Sequence, residues 1–335
     1  MDVANVVDQM LAAGLDQPPQ PLDLQGKVRR FGPKKNDWYS LREIRTEAGT
    51  YVVVGSFGSW KLGFTQKVEV DWAGICEQER EALTAQREAA ATAAQAERAE
   101  LARLAALGAG ELWRSARPAG RSPYLERKGF AAGAGEACRY LADGSIVIPL
   151  IRYDLPREQA LRGLQRIFAD GAKRFTRGFD KSGACTRLGL VVQGEPIIVC
   201  EGFATGLTLR LALERRLPVF VALDAGNLLP VCERLRELHP RLPILIAADD
   251  DWQTEGNPGR HKAHKASQAV SQCSHTLPVF HPARRGRKHT DFDDLRQVEE
   301  AAKPGSGLAV VARQLTAALR YLRGEHHLAP TAQAA

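Results

Sequence analysis

The feature that most restricts the fold is a series of short apolar runs in the C-terminal half, each followed by residues of helical pattern. "IIVC" precedes a helical stretch from Thr205 to Arg215, and "VFVAL" precedes one from Leu228 to Leu238. "ILIAA" precedes one from about His261 to Cys273, and "HTLPVF" closes the series. Continuous apolar runs of this length suit strands buried on both faces, and their alternation with amphipathic helices describes a parallel α/β sheet. In such sheets ligands bind just beyond the carboxyl ends of the strands. There the sequence places acids: "PIIVC" ends in Glu201-Gly202, and "PILIAA" ends in Asp249-Asp250-Asp251. Carboxylates gathered at strand ends repel one another unless a cation sits among them. Mg²⁺, which takes hard oxygen ligands and shares them with substrate phosphates, meets that demand, and Mn²⁺ meets it as well. Gly202 lets the backbone approach a phosphate closely, and a helix beginning near Ala204 would point its N-terminus at the same place. A single strand-end acid is more often a helix cap or turn residue than a ligand; two such sites in one α/β unit reverse that and favour the metal.

Upstream, the segments "GSIVIPLIRY", "RGLQRIFA", "KRFTRGF" and "LGLVVQGE" read as strands of a mixed sheet. Before them "ARPAGRSPYLERKGF", with its prolines and glycines, marks a boundary near Arg117 to Phe130. From Glu77 to Leu107 the chain is rich in Ala, Glu, Arg and Gln without proline or glycine, which predicts a long helix. From Val28 to Val70 short apolar runs alternate with turn residues, which predicts a small β-rich module. In it Trp38, Tyr39, Tyr51, Phe57, Trp60 and Phe64 interleave with Arg29, Arg30, Lys34, Lys35 and Lys61. That mixture suits base stacking with phosphate contact, although any single ring of this kind is more often core of a tiny sheet. The end, "HHLAPTAQAA", reads as a disordered tail.

The chain of 335 residues carries a net charge of +7 and a pI near 9.2, a balance that favours a polyanionic partner or simply solubility. Its six cysteines, Cys76, Cys138, Cys185, Cys200, Cys232 and Cys273, form no C-x-x-C pair, so no zinc ribbon is expected. Neither a leader-like N-terminus nor an apolar run of about 18 residues is present, so a cytoplasmic protein without a membrane partner is expected. No G-x-x-x-x-G-K-[ST] loop marks a helicase motor, and a replicative helicase, where one is needed, is expected to be a separate protein.

The glutamate in "IVCEGFATGLTL" and the Asp-x-Asp in "ILIAADDDW" resemble the Toprim domain shared by bacterial primases, topoisomerases and some nucleases. The order "EGFATGLTL", "DAGNL", "AADDDW", "GNPGRHKA", "TDFDDL" is similar to the plasmid and phage primases, including the TraC-type conjugation primases, over roughly Gly110 to Gln297. The resemblance implies a Rossmann-like Toprim parallel sheet with helices, preceded by a mixed α+β primase-core subdomain; with the small β-rich N-terminal module and long helix read from the patterning, the expected fold class is α/β. The corresponding parts are residues 1–75, 76–117, 118–195, 196–300 and 301–335. It implies an enzyme that makes RNA primers on single-stranded DNA from nucleoside triphosphates by metal-dependent nucleotidyl transfer.

In that frame Glu201 would stand near the reacting phosphate or metal, and Asp249 and Asp251 would be the metal-binding pair. Asp250 would either join them or cap the next segment. "DGAKRFTRGFDKSG" looks like the basic segment upstream of the acids in this group, with Lys173 and Arg174 as nucleotide or DNA ligands and Arg166, Arg177 and Lys181 nearby. In a strand, residues 173 and 175 share one face and 174 takes the other, so Lys173 is the first choice. Asn227 would contact nucleotide or cap the helix at Leu228, and Lys262 and Lys265 would open a helix beside the acids. His261 and His264 read as helix surface. Asp291, Asp293 and Asp294 would cap a helix start, with Asp291 and Asp293 supporting the site. A Toprim nuclease uses the same acids, and an inactive single-stranded-DNA-binding accessory protein is the reading from another class. With no zinc module, the basic, aromatic N-terminal module is the expected element of template selection.

Overall fold

The computed structural model describes residues 3–45, 49, 51–60, 62–69 and 77–324; Lys61, Cys76 and residues 325–335 lie outside the described residues. Two units divide the chain, Met1–Ala96 and Glu97–Ala335. The first begins with α1 (Val3–Ala12) and continues as an antiparallel sheet in sequential order, β1 (Arg29–Phe31), β2 (Asp37–Arg45), β3 (Tyr51–Ser59) and β4 (Phe64–Lys67). Alternation sets its faces: Tyr39, Leu41, Val53 and Phe57 point to one side and bury against Val6, Val7 and Met10 of α1. Gln9 fastens the helix to the end of the sheet, donating to the Glu69 carbonyl at 2.9 Å and accepting from the Glu69 N–H at 2.8 Å. The long helix α2 runs Glu77–Ser115, eight residues beyond its expected end and through Gly108 and Gly110.

In the second unit the short α3 (Pro123–Arg127) leads to an antiparallel sheet of β5 (Arg139–Tyr140), β6 (Ile146–Ile151), β7 (Leu161–Ile167) and β8 (Lys173–Phe175), with the one-turn α4 (Arg157–Ala160) before β7. The second sheet has the order β13-β12-β10-β11-β9, built from β9 (Thr186–Leu188), β10 (Ile197–Cys200), β11 (Val219–Val221), β12 (Ile244–Ala247) and β13 (Cys273–Thr276). Its β10, β11, β12 and β13 are parallel, and β9 joins the β11 edge antiparallel. The connecting helices are α5 (Phe203–Ala212), α6 (Leu228–Leu238) and α7 (Pro258–Ala269), followed by α8 (Phe292–Ala302) and α9 (Gly307–Leu322).

Both faces of the parallel sheet are covered, as its unbroken apolar strands require. Ile198, Cys200, Val219, Val221, Leu245 and Ala247 pack toward Leu207 of α5, Leu295 of α8 and Leu315 of α9. Ile197, Val199, Phe220, Ile244 and Ile246 face Val231 and Leu235 of α6 and Ala263 and Ala266 of α7. Gly206 brings α5 against the sheet, since a Cβ there would lie 2.7 Å from Val221 Cγ2.

Some boundaries differ from expectation. Of "LGLVVQGE" only its first residue is strand; residues 189–195 form a turn in which Leu190 and Val192 are exposed, so their apolarity does not mark a buried strand. α7 starts three residues before His261 because Asn257 caps it, its side chain accepting from the Arg260 N–H, and Pro258 occupies the first turn. No helix among the described residues is long and apolar enough to cross a membrane.

Candidate active site

The two central parallel strands, β10 and β12, end side by side, Cys200 opposite Ala247, so the next residues of each strand emerge on one rim. Glu201 follows β10 directly and is 8% exposed. Its Oε1 is buried without a hydrogen-bond partner, as is Asp249 Oδ1 beyond β12. A buried carboxylate oxygen without a donor costs free energy, and the groups respond by holding their protons. Burial first, and then the Asp251 charge, pushes Glu201 up to about 7, against the hydrogen bond it receives from the Asp249 N–H. Burial, followed by Asp291, Glu201 and Asp251, pushes Asp249 well above the usual carboxylate range, while Lys173 opposes the shift. Asp291 is raised to about 6 by burial and then by Asp294 and Asp293. The structure therefore brings Glu201, Asp249, Asp251 and Asp291 into one repelling group.

Local hydrogen bonds fix the Asp-x-Asp loop. Asp251 Oδ2 accepts from the Gly259 N–H at 3.0 Å, in the first turn of α7. Only glycine fits at 259, because a Cβ there would stand 2.5 Å from the Asp249 carbonyl oxygen. Asp250 is engaged elsewhere: Arg285 Nη2 lies 2.7 Å from its Oδ2, Asn257 Nδ2 donates to its Oδ1 at 2.6 Å, and its N–H donates to the Thr290 carbonyl at 2.7 Å. The Arg285 guanidinium is 4.8 Å from the Trp252 ring centroid and 4.9 Å from that of Phe280, so the clamp on Asp250 is itself braced.

A cleft of about 770 Å³ adjoins this rim, lined among others by Lys173, Gly202, Thr205, Asp291 and the cations Arg127, Lys128 and Lys288. Gly202 is the N-cap of α5, so the first turn of that helix opens onto the cleft. Lys173 and Arg174 separate across the sheet. β8 pairs Ile167 with Lys173 and Arg166 with Arg174, which puts Lys173 on the cleft side. Arg174 sits on the other, 5.3 Å from the Phe168 ring centroid, with Arg166 4.5 Å from the same ring.

Asn227 is not on the rim. It is 1% exposed; its Nδ2 donates to the Ala184 and Ala222 carbonyls, both at 2.9 Å, and its Oδ1 accepts from the Gly183 N–H at 2.9 Å. Its amide is spent on holding a loop to β11, and its side chain does not cap α6. Lys262 is exposed on α7 and does not line the cleft. Asp293 is 0% exposed and fully engaged, by Lys128 Nζ at 2.9 Å, Arg296 Nη2 at 2.7 Å, Thr208 Oγ1 at 2.8 Å and Gln297 Nε2 at 2.7 Å. Asp291 caps α8 in a reciprocal capping box with Asp294. Sequence reasoning missed Arg127, Lys128 and Lys288. The first two lie in the segment read as a boundary, where the run of cations in "YLERKGF" was the available signal.

Among the described residues no group of three or more His, Cys, Asp or Glu side chains forms a ready-made metal cage. The donor set nevertheless fits a hard divalent cation. Two buried carboxylate oxygens lack partners, and Mg²⁺ is commonly held by one or two carboxylates with water and substrate phosphate completing the shell. Glu201, Asp249 and Asp251 are the residues that would hold it.

Residues 196–302 match the family model described as Toprim domain. Two proteins of Escherichia coli named DNA primase TraC are 35% identical over 168 residues and 34% identical over 169. Each match covers 48% of this chain but only 15% and 11% of the relatives' length, so the shared stretch is a small part of those proteins. Among solved structures, the primase fragment of the bacteriophage T7 primase-helicase protein matches at 15% identity and TM-score 0.36, covering 54% of this chain and 67% of that one. A T7 lagging-strand DNA polymerase complex, with primase domains bound to an RNA/DNA hybrid and dTTP, matches at 14% identity and TM-score 0.36, covering 58% and 84%. The chain thus carries a Toprim domain on a parallel α/β sheet, preceded by a mixed subdomain and a β-rich module, and over about half its length it resembles the TraC primases.

Proposed function

We propose that the protein is a DNA primase that makes short RNA primers on single-stranded DNA from nucleoside triphosphates by nucleotidyl transfer. The observation that carries this reading is the pairing of partnerless, buried carboxylate oxygens on Glu201 and Asp249 with a cation-lined cleft beside them. A divalent cation bound there would neutralise triphosphate charge and stabilise the attacking and leaving oxygens of an in-line displacement. Lys173, Arg127 and Lys288, with the first turn of α5, bind and orient the phosphates. Lys128 is already committed to Asp293 and holds the cleft wall. Arg285 and Asn257, through Asp250, and Gly259, through Asp251, keep the acid loop in one geometry.

We infer that residues 1–75, 76–117, 118–195, 196–300 and 301–335 are the working parts. The setting is the cytoplasm, with a separate replicative helicase as the expected partner. The test is incubation with single-stranded circular DNA, Mg²⁺ and labelled ribonucleotides beside an Asp249→Ala/Asp251→Ala variant. Short labelled oligoribonucleotides that vanish in the variant support the primase. Metal-dependent shortening of the DNA without synthesis replaces it with a nuclease that uses the same acids.

A further inference from the structure

The N-terminal unit carries a surface that the catalytic reading leaves unused. Its register sets Arg30 directly opposite Trp38, Trp38 opposite Gly58, and Gly58 opposite Thr65. Paired residues share a face of the sheet, so Arg30, Trp38 and Thr65 stand together, with Ser40, Ser56 and Lys67 in the adjacent row. This is the face away from α1, because Tyr39, Leu41 and Phe57 occupy the other. Trp60 leaves the end of β3, its N–H donating to the Asn36 carbonyl at 3.0 Å. Its ring lies against Trp38, with centroids 5.5 Å apart and planes inclined 35°, and the Arg30 guanidinium stands 4.4 Å from its centroid.

Neither tryptophan belongs to the core of this unit, and Trp60 is 50% exposed. In so small a unit, rings of this size would contribute most by being buried, so two outside the core call for another role. The turn between β1 and β2 adds exposed Lys34 and Lys35 beside the pair, and Lys67 is exposed on the same face. No described strand position on that face is an acid. Asp37 lies on the opposite face, 8% exposed and accepting from the Asp16 N–H, and Arg29, paired with Asp23, is also on the opposite face. An aromatic surface with exposed cations beside it, and no acid at the described strand positions of its face, complements a ligand with flat π faces and regularly spaced negative charge. Single-stranded nucleic acid has both, whereas a duplex hides its base faces.

We propose that Trp60, Trp38 and Arg30, with Lys34, Lys35 and Lys67, form a binding surface for single-stranded nucleic acid, with a base stacked on Trp60 and phosphates on the lysines. The surface needs neither metal nor triphosphate, so it stands or falls separately from the primase reading. The test uses the full chain in EDTA and the fluorescence anisotropy of labelled short oligothymidylate, oligouridylate and duplex. Trp60→Ala is expected to weaken single-strand binding about tenfold and Trp38→Ala/Trp60→Ala further, whereas Trp60→Phe, which keeps a ring, retains most of it. Lys34→Ala/Lys35→Ala is expected to flatten the salt dependence. An oligonucleotide carrying 5-iodouracil should crosslink to the peptide containing Trp60, whichever variant melts early. Preference for oligothymidylate or for oligouridylate each supports the surface and tells template from transcript. Unchanged affinity of the double variant, crosslinks confined to residues 97–324, or duplex binding equal to single-strand binding overturns it.

Discussion

Glu201 is the residue on which burial and repulsion act most visibly, and the sign of its shift has a measurable consequence. Its carboxyl is raised from an ordinary 4.5 to about 7 in the folded chain, so folding favours the protonated form. The stability this contributes is fully present below pH 4.5 and is lost as pH rises toward 7. The metal-free protein should therefore melt at progressively lower temperature across that window, and Glu201→Gln should flatten the profile. At neutral pH the same variant should be more stable than the native chain by on the order of 1 kcal/mol, and Mg²⁺, which is expected to raise the melting temperature of the native chain, should not raise that of the variant. Differential scanning calorimetry with and without EDTA measures both. Asp249, whose Oδ1 is equally without a donor, belongs to the same strained group. These acids were legible because strand ends in a parallel sheet are where ligands bind. The split between Asp250 and its neighbours was not, since it depends on Arg285, which lies 35 residues away in the chain.

At the scale of elements, α7 and the acid loop are coupled through Gly259. Gly259→Ala would drive a Cβ toward the Asp249 carbonyl oxygen, which is backbone and cannot swing aside. The acids would have to move by several tenths of an ångström, and the primer synthesis proposed for this site should fall by at least about tenfold with a modest loss of stability. Steady-state rates, read beside a melting curve, separate the two effects. The helices of the parallel sheet were legible to within a few residues because apolar periodicity decides them. α1 was not read at all, although Val6, Val7 and Met10 have helical spacing, because a ten-residue helix is marginal until a sheet covers it. "LGLVVQGE" erred in the other direction: its apolar residues suggest a strand, but a turn leaves Leu190 and Val192 in water.

In the second unit as a whole, Asp293 joins two subdomains. Lys128, just past α3, and Thr208 of α5 meet on its carboxylate, together with Arg296 from its own helix α8. Truncation to Asp293→Ala would strand two cations in a place that is 0% exposed at the aspartate, and should cost roughly 3–5 kcal/mol. Denaturant unfolding should then show a lower midpoint, with the antiparallel and parallel sheets still unfolding together. The sequence suggested helix capping for this acid. Its reach across 165 residues to Lys128 is a property of tertiary packing that no local pattern carries.

The loop after Asp251 is moored at both ends, by the Asp250 N–H on the Thr290 carbonyl and by the Gly259 N–H on Asp251. Between these moorings Gly256 adopts φ +77° with nothing near the place a side chain would occupy. The residues on either side are tied to the acids, the Thr254 N–H to the Asp251 carbonyl at 2.7 Å and Asn257 Nδ2 to Asp250 Oδ1 at 2.6 Å, so the slack is confined to the tip at Gly256. The entropy of closing a longer loop grows only logarithmically, by about 0.6 kcal/mol per doubling. The tip at Gly256 is thus a grafting point, where a reporter peptide or a recognition segment can be spliced in next to the chemistry provided that Thr254 and Asn257 keep their bonds to the acid loop.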